Sequence, residues 1–239
     1  MRLLTYNMHK GVGTDRRYRL ERVVGVIAAE TPDLICLQEV DRNVRRSRYD
    51  DQPALLVDRL AAKAWMYQLN SPRGDGGYGN LLLSRWPILR GGPLVLRHRW
   101  RIPRGALLAV VDTPEGPLQL VNVHLGLSER ERRWQAVQLM EYADFRAAAH
   151  LPTLIAGDFN DWRNTLGKRC LLGHAFRQAT APVRRFRTFP AFLPLAAIDK
   201  IYYRGLNLIE TRVVRGRAVR RASDHRPVVC DFRLGPGEP

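Results

Sequence analysis

The sequence is poor in cysteine, poor in lysine and free of long apolar runs. Its three cysteines, Cys36, Cys170 and Cys230, are odd in number and far apart. That excludes a disulfide framework and any zinc-binding spacing, and a reducing, cytoplasmic compartment is the expectation. The longest uncharged apolar stretch, Phe189 to Ile198, is too short and too proline-rich to span a bilayer. The N-terminus lacks the pattern of a cleavable leader, because Arg2 runs straight into the core-strand pattern Leu3-Leu4-Thr5-Tyr6. Neither a short repeat nor a low-complexity linker is present. Residues 1–239 are therefore expected to form one domain, acting as a monomer, large enough to bury a sizeable core.

Lysine occurs only at positions 10, 63, 168 and 200, yet the net charge is +16. Arginine supplies nearly all of it, through clusters at 42–48, 177–187 and 212–221. Guanidinium forks hold phosphate in a bidentate way, and a basic surface attracts polyanions. An arginine-favouring genome would leave the same composition, so the charge alone points to no particular partner, and the local clusters are more informative than the total.

Leu20 to Glu30 has helical spacing, with Leu20, Val23, Val24, Ile27 and Ala28 on its apolar face, and Thr31-Pro32-Asp33 stops it. Leu34 to Leu37 reads as a buried strand ending at Gln38-Glu39. Residues 53 to 64 read as a second helix, Ser71 to Gly79 as a glycine-rich loop, and Asn80 to Ser84 as a strand. Ala106 to Asp112 and Leu118 to His124 read as strands joined by a turn. Ser128 is placed to cap a helix that buries Ala136, Leu139, Met140, Ala143 and Ala147. Thr153 to Ala156, Ile198 to Tyr203 and Pro227 to Phe232 complete the strands, and Trp162 to Pro194 reads as irregular. Strands and helices mix without strict alternation, which suits an α/β layered sandwich better than a barrel or a Rossmann sheet.

Five short motifs sit at or just after the ends of apolar strands. They are Thr5-Tyr6-Asn7, Gln38-Glu39, Asn122-Val123-His124, Gly157-Asp158-Phe159-Asn160 and Ser223-Asp224-His225. Any one of them alone reads as an ordinary turn or strand end. Together they bring carboxylates, amides and two histidines to one side of a sheet. A phosphoester is anionic and repels hydroxide, and a hard cation on protein oxygens neutralises that charge. Glu39 supplies a hard carboxylate oxygen for such a cation, with the Asn7 amide beside it. Either Asp158 or His225 can take a proton from water. Asn160 and His124 can donate to oxygens that gain charge. Asp199 can hold a histidine in one tautomer, or form a salt bridge near Lys200.

In order and spacing these motifs resemble the endonuclease/exonuclease/phosphatase superfamily, over Leu3 to Phe232. The resemblance implies a four-layer α/β/β/α sandwich, with two mixed β-sheets face to face and helices outside. It implies Asn7 and Glu39 as metal ligands, with Asp224 as a further candidate. It implies Asp158 and His225 in water activation and phosphate contact, Asn160 and His124 as phosphate contacts, and Asp199 as the partner of His225. Finer matches, among them Gly79 to Arg85 and Arg104 to Leu107, are similar to small bacterial members and suggest Arg104 as a phosphate clamp and Asn80 as a substrate contact. The pattern of the abasic-site enzymes is absent around Tyr6 to Val12. The expected activity is that of a Mg²⁺-dependent phosphodiesterase, with Mn²⁺ as an alternative ion, acting on nucleic acid. A phospholipid or small-molecule head group is the alternative substrate, and a non-catalytic binding module the remaining reading.

Overall fold

The computed structural model describes residues 1–235, the side chains of Lys168 and Arg169 excepted. Apolar runs that look continuous in sequence are divided between two faces by the period of a strand. In β1 (Arg2–Asn7), Leu3 faces one core while Leu4 and Tyr6 face another. In β2 (Leu34–Arg42), Leu34 and Cys36 join Leu3, and Ile35 and Leu37 join Leu4. The same division runs through β8 (Thr153–Asp158), where Leu154 and Ala156 face inward and Ile155 outward.

Five further strands precede β8: β3 (Ala64–Arg73), β4 (Gly76–Ser84), β5 (Ile88–Val95), β6 (Gly105–Thr113) and β7 (Gly116–His124), followed after β8 by β9 (Arg177–Gln178), β10 (Asp199–Arg204), β11 (Leu206–Val213) and β12 (Val228–Leu234). They form two six-stranded sheets, ordered β11-β12-β1-β2-β4-β3 and β5-β6-β7-β8-β10-β9. Each sheet has one parallel pair at its centre, β1 with β2 and β7 with β8, and antiparallel neighbours elsewhere. The inner faces share one core, which joins Leu3, Leu34 and Leu82 to Leu107, Leu120 and Leu154. Helices α1 (Leu20–Ala28), α2 (Gln52–Arg59) and α5 (Arg217–Ala222) cover the outer face of the first sheet. Helices α3 (Glu129–Glu141) and α4 (Ala143–Ala147) cover that of the second. This is the four-layer sandwich. No helix among the described residues is long and apolar enough to cross a membrane.

Several boundaries differ from the sequence reading. The expected loop from Ser71 to Gly79 is mostly strand, with only Gly74 and Asp75 between β3 and β4. Its glycines serve close strand contact rather than a loop: a Cβ on Gly79 would lie 1.7 Å from the Gln68 carbonyl oxygen. The second helix stops at Arg59, and Ala64 already belongs to β3. In α1, Val26 is buried where Val24 and Ala28 were expected. The helix after Ser128 breaks at Tyr142, whose backbone is extended at φ −62° and ψ 130°. Phe145 and Ala148 consequently fill the core, and Ala143 and Ala147 are exposed. Edge strands β5 and β11 leave no strand pattern in the sequence, because their half-exposed faces carry mixed, glycine-containing or charged residues.

Candidate functional site

The second sheet presents three of the expected residues in a single transverse row. In register, His124 at the end of β7 lies beside Asp158 at the end of β8, and Asp158 lies opposite Asp199 at the start of β10. The first sheet meets this row through Asn7, whose Nδ2 donates to Asp158 Oδ2 at 3.0 Å. Asn7 sits at the end of β1 in register with Gln38. The next residue, Glu39, lies in a bulge between Leu37 and Val40 and has a left-handed backbone at φ +57°. A bulge re-aims a side chain, and a positive φ at a non-glycine residue is a strain that functional sites often hold. Gln38 turns inward instead, donating to Asn122 Oδ1 at 2.8 Å, and Asn122 donates to the carbonyls of Leu37 and Leu81 at 2.9 Å. These buried amides lock the two sheets together beneath the site.

His225 arrives on the loop between α5 and β12. Ser223 fastens that loop, since its Oγ donates to the Asn7 carbonyl at 2.8 Å and accepts from the His225 amide at 3.1 Å. His225 Nδ1 donates to Asp199 Oδ2 at 2.9 Å, and its Nε2 stands 4.0 Å from Asp158 Oδ2. Phe189 packs on the imidazole with ring centroids 4.9 Å apart. On the other flank, His124 Nε2 lies 3.5 Å from Asp158 Oδ2 and accepts from Arg104 Nη1 at 2.8 Å. The Asn160 amide N–H donates to Asp158 Oδ1 at 2.9 Å, and its side chain donates to the Leu125 carbonyl at 2.9 Å.

Burial sets the ionisation of this cluster. It pushes the Asp158 carboxyl up, against the nearby charge of His225 and with that of Asp199. Burial works against charge on His225, but the charge and hydrogen bond of Asp199 outweigh it and raise its pKa. His124 is driven well below the usual imidazole range by burial and by Arg104, so it is neutral. Glu39 is desolvated as well, yet the charge and hydrogen bond of Lys10 hold its carboxyl below the ordinary range. Lys10 forms an ion pair with Glu39 and lies 5.4 Å over the Tyr78 ring.

Two expected residues lie outside that row. Asp224 is half-buried and faces His9, with Oδ1 3.8 Å from His9 Nδ1. Asn80 is fully buried and donates to the Gly105 carbonyl at 3.0 Å, leaving its Oδ1 without a partner among the described residues. Lys10, Ser223 and Phe189 carry no assigned role in the sequence reading. The signal for Lys10 was its place in the strand-end stretch after Asn7, and that for Ser223 its place beside His225.

The donors fit a hard divalent cation. Glu39, Asn7 and Asp224 offer only oxygen ligands, and Glu39 is held ionised. Lys10 supplies the positive charge at Glu39, and a bound cation would take over that role. Asp158, Asp199 and His225 also place potential ligand atoms within 4.8 Å of one another. In that trio, however, the Asp199–His225 hydrogen bond already pairs two of the three.

The profile of the endonuclease/exonuclease/phosphatase family matches residues 4–225. The uncharacterized protein YbhP of Escherichia coli strain K12 is 30% identical, with 98% of this chain and 96% of that protein aligned. Among solved structures, an endonuclease/exonuclease/phosphatase from Beutenbergia cavernae superposes with a TM-score of 0.82 at 24% identity, over 98% of this chain and 71% of that one. A mannosyl-6-phosphatase from Bacteroides thetaiotaomicron superposes with a TM-score of 0.75 at 16% identity, over 98% of this chain and 100% of that one.

Proposed function

Because the chain belongs to the endonuclease/exonuclease/phosphatase family, we propose that it hydrolyses phosphoesters, diesters before monoesters, with Mg²⁺ or in its place Mn²⁺. The observation that carries this reading is the buried row of His124, Asp158, Asp199 and His225 beside the strained, ionised Glu39. Glu39, Asn7 and Asp224 would hold the cation, which supplies charge neutralisation at the phosphate.

Asp158 takes the proton of the attacking water. Its carboxylate is fixed by Asn7 and Asn160 on opposite oxygens, and burial raises its basicity. His225, kept protonated by Asp199, donates from Nε2 to a non-bridging phosphoryl oxygen. Asp199 touches no substrate and acts as a positioning residue. Asn160 keeps a second amide hydrogen for the phosphate. Arg104 reaches the phosphate jointly with His124, to which it is bonded. Asn80 contributes through its unpartnered Oδ1 or by holding β6 in place.

The nuclease reading draws support from the net charge of +16 and from a cleft of about 590 Å³ lined by Arg45, Arg46 and Arg73. The exposed apolar side chains of Trp100, Leu193 and Leu195 favour a head group at a lipid surface. The test of hydrolysis is turnover of bis-(p-nitrophenyl) phosphate, oligonucleotides, phosphoinositides and sugar phosphates with and without Mg²⁺. Glu39→Ala and His225→Ala are each expected to lose at least a hundredfold in kcat/KM. A wild-type protein with no cation-dependent turnover on the whole panel would sink the proposal.

A further inference from the structure

One row of paired residues crosses the second sheet at its catalytic edge: Val95 with Gly105, Gly105 with His124, His124 with Asp158, and Asp158 with Asp199. Three loops leave the sheet along that row, residues 96–104, the segment after His124, and residues 189–198. All three carry large apolar side chains in water. Trp100 is 96% exposed, Leu127 67% and Phe192 65%, while Ile102, Leu193 and Leu195 are each more than half exposed.

These tips are held in place. Phe189, at the root of the third loop, packs on His225 and on Trp162, and backbone bonds from Thr188 to Ala196 and from Leu195 to Phe189 close the loop. Arg104, at the root of the first, is buried against His124. Arg97, Arg99 and Arg101 are exposed and alternate with His98, Trp100 and Ile102, and neither 96–104 nor 187–198 contains an acidic residue. Apolar tips interleaved with guanidinium groups match a surface with phosphates outside and hydrocarbon beneath. A nucleic-acid backbone offers nothing to Ile102, Leu193 and Leu195, and base stacking would want aromatic residues at those positions.

We propose that this edge docks on an anionic lipid bilayer, so that the mouth between His124 and His225 faces the membrane. The corollary that the substrate is a lipid-borne phosphoester rests on the hydrolase reading, whereas the docking does not.

The test is partition onto sedimenting vesicles of phosphatidylcholine alone and of phosphatidylcholine with about a third phosphatidylglycerol, at low and physiological salt. Wild type and the inactive Glu39→Ala protein are both expected to bind the anionic vesicles and to ignore the neutral ones. The double variant Trp100→Ser, Leu193→Ser, with an unchanged melting temperature, is expected to bind at least about tenfold more weakly. Equal binding by wild type and double variant would reduce the effect to the basic charge and overturn the proposal. Failure to bind vesicles, or tighter binding to duplex DNA that the same double variant weakens, would overturn it too. Glu39→Ala that docks while wild type hydrolyses nothing would leave the docking standing and remove the hydrolase reading.

Discussion

At the scale of single residues, the site depends on groups that touch one another rather than on any one of them. Asp199→Asn keeps the shape of the Asp199–His225 pair and removes its charge. It is expected to lower kcat on the order of a hundredfold or more, with KM little changed, in steady-state assays on a diester. A change in KM alone would make Asp199 a binding residue. A second buried charge lies just behind it. Lys200 is 1% exposed, reaches Asn164, and has its pKa lowered from 10.5 to about 8, first by burial. Between those values the unfolded chain binds more protons than the folded one, so stability rises with pH through that window. Below pH 8 the whole cost, on the order of 3 kcal/mol, is present. Lys200→Met is expected to flatten the rise, read as urea midpoints at pH 7.5 and pH 10; parallel curves for the two proteins would refute it. Much of this was legible in the sequence. Glu39, Asp158 and His225 stand at strand ends where an apolar run gives way to a polar residue. The Asp199–His225 pair was one of two readings of Asp199, because a sequence does not say which loop folds back over a strand start. Lys10 stayed unassigned because its contact depends on the left-handed turn at His9 and Lys10, which neither residue type signals.

At the scale of elements, strand spacing places the carboxylates. Gly157 has φ +148°, and a Cβ there would lie 1.9 Å from the Val123 carbonyl oxygen. Gly157→Ala must part β8 from β7, and with it Asp158 from His124. The expected cost is about 3 kcal/mol in urea unfolding, together with loss of turnover. Ser128→Ala provides the contrast. Ser128 caps α3 by accepting from the Glu131 amide at 3.2 Å, so its loss should cost about 1 kcal/mol and leave kcat unchanged. If both variants damaged turnover equally, the spacing argument would fail. Central strands were readable because they are apolar on both faces. The second half of β4, Asn80 to Ser84, is legible in the sequence, but its hairpin with β3 is not, for a physical reason: glycines that admit a neighbouring backbone look, in sequence, like glycines that form a loop.

At the scale of the whole molecule, the charge of +16 repels itself at low ionic strength. The melting temperature is therefore expected to rise by a few degrees between about 10 and 150 mM NaCl, as the Debye length falls from roughly 30 to 8 Å. A falling midpoint would mean that ion pairs such as Arg2–Asp231 and Arg46–Asp41 outweigh the repulsion. The arrangement of layers followed from the apolar pattern, whereas the meeting of the apolar loops on one edge came only with the register, since Trp100 and Phe192 lie 92 positions apart in the numbering. Strand β12 lies between β1 and β11, and Ser223 grips Asn7 across 216 residues. During synthesis, the first strand must therefore wait for nearly the last before its sheet can close. A nascent chain holds Asn7 and Glu39 long before it holds His225, so the proposed hydrolytic site cannot be complete while the chain is unfinished.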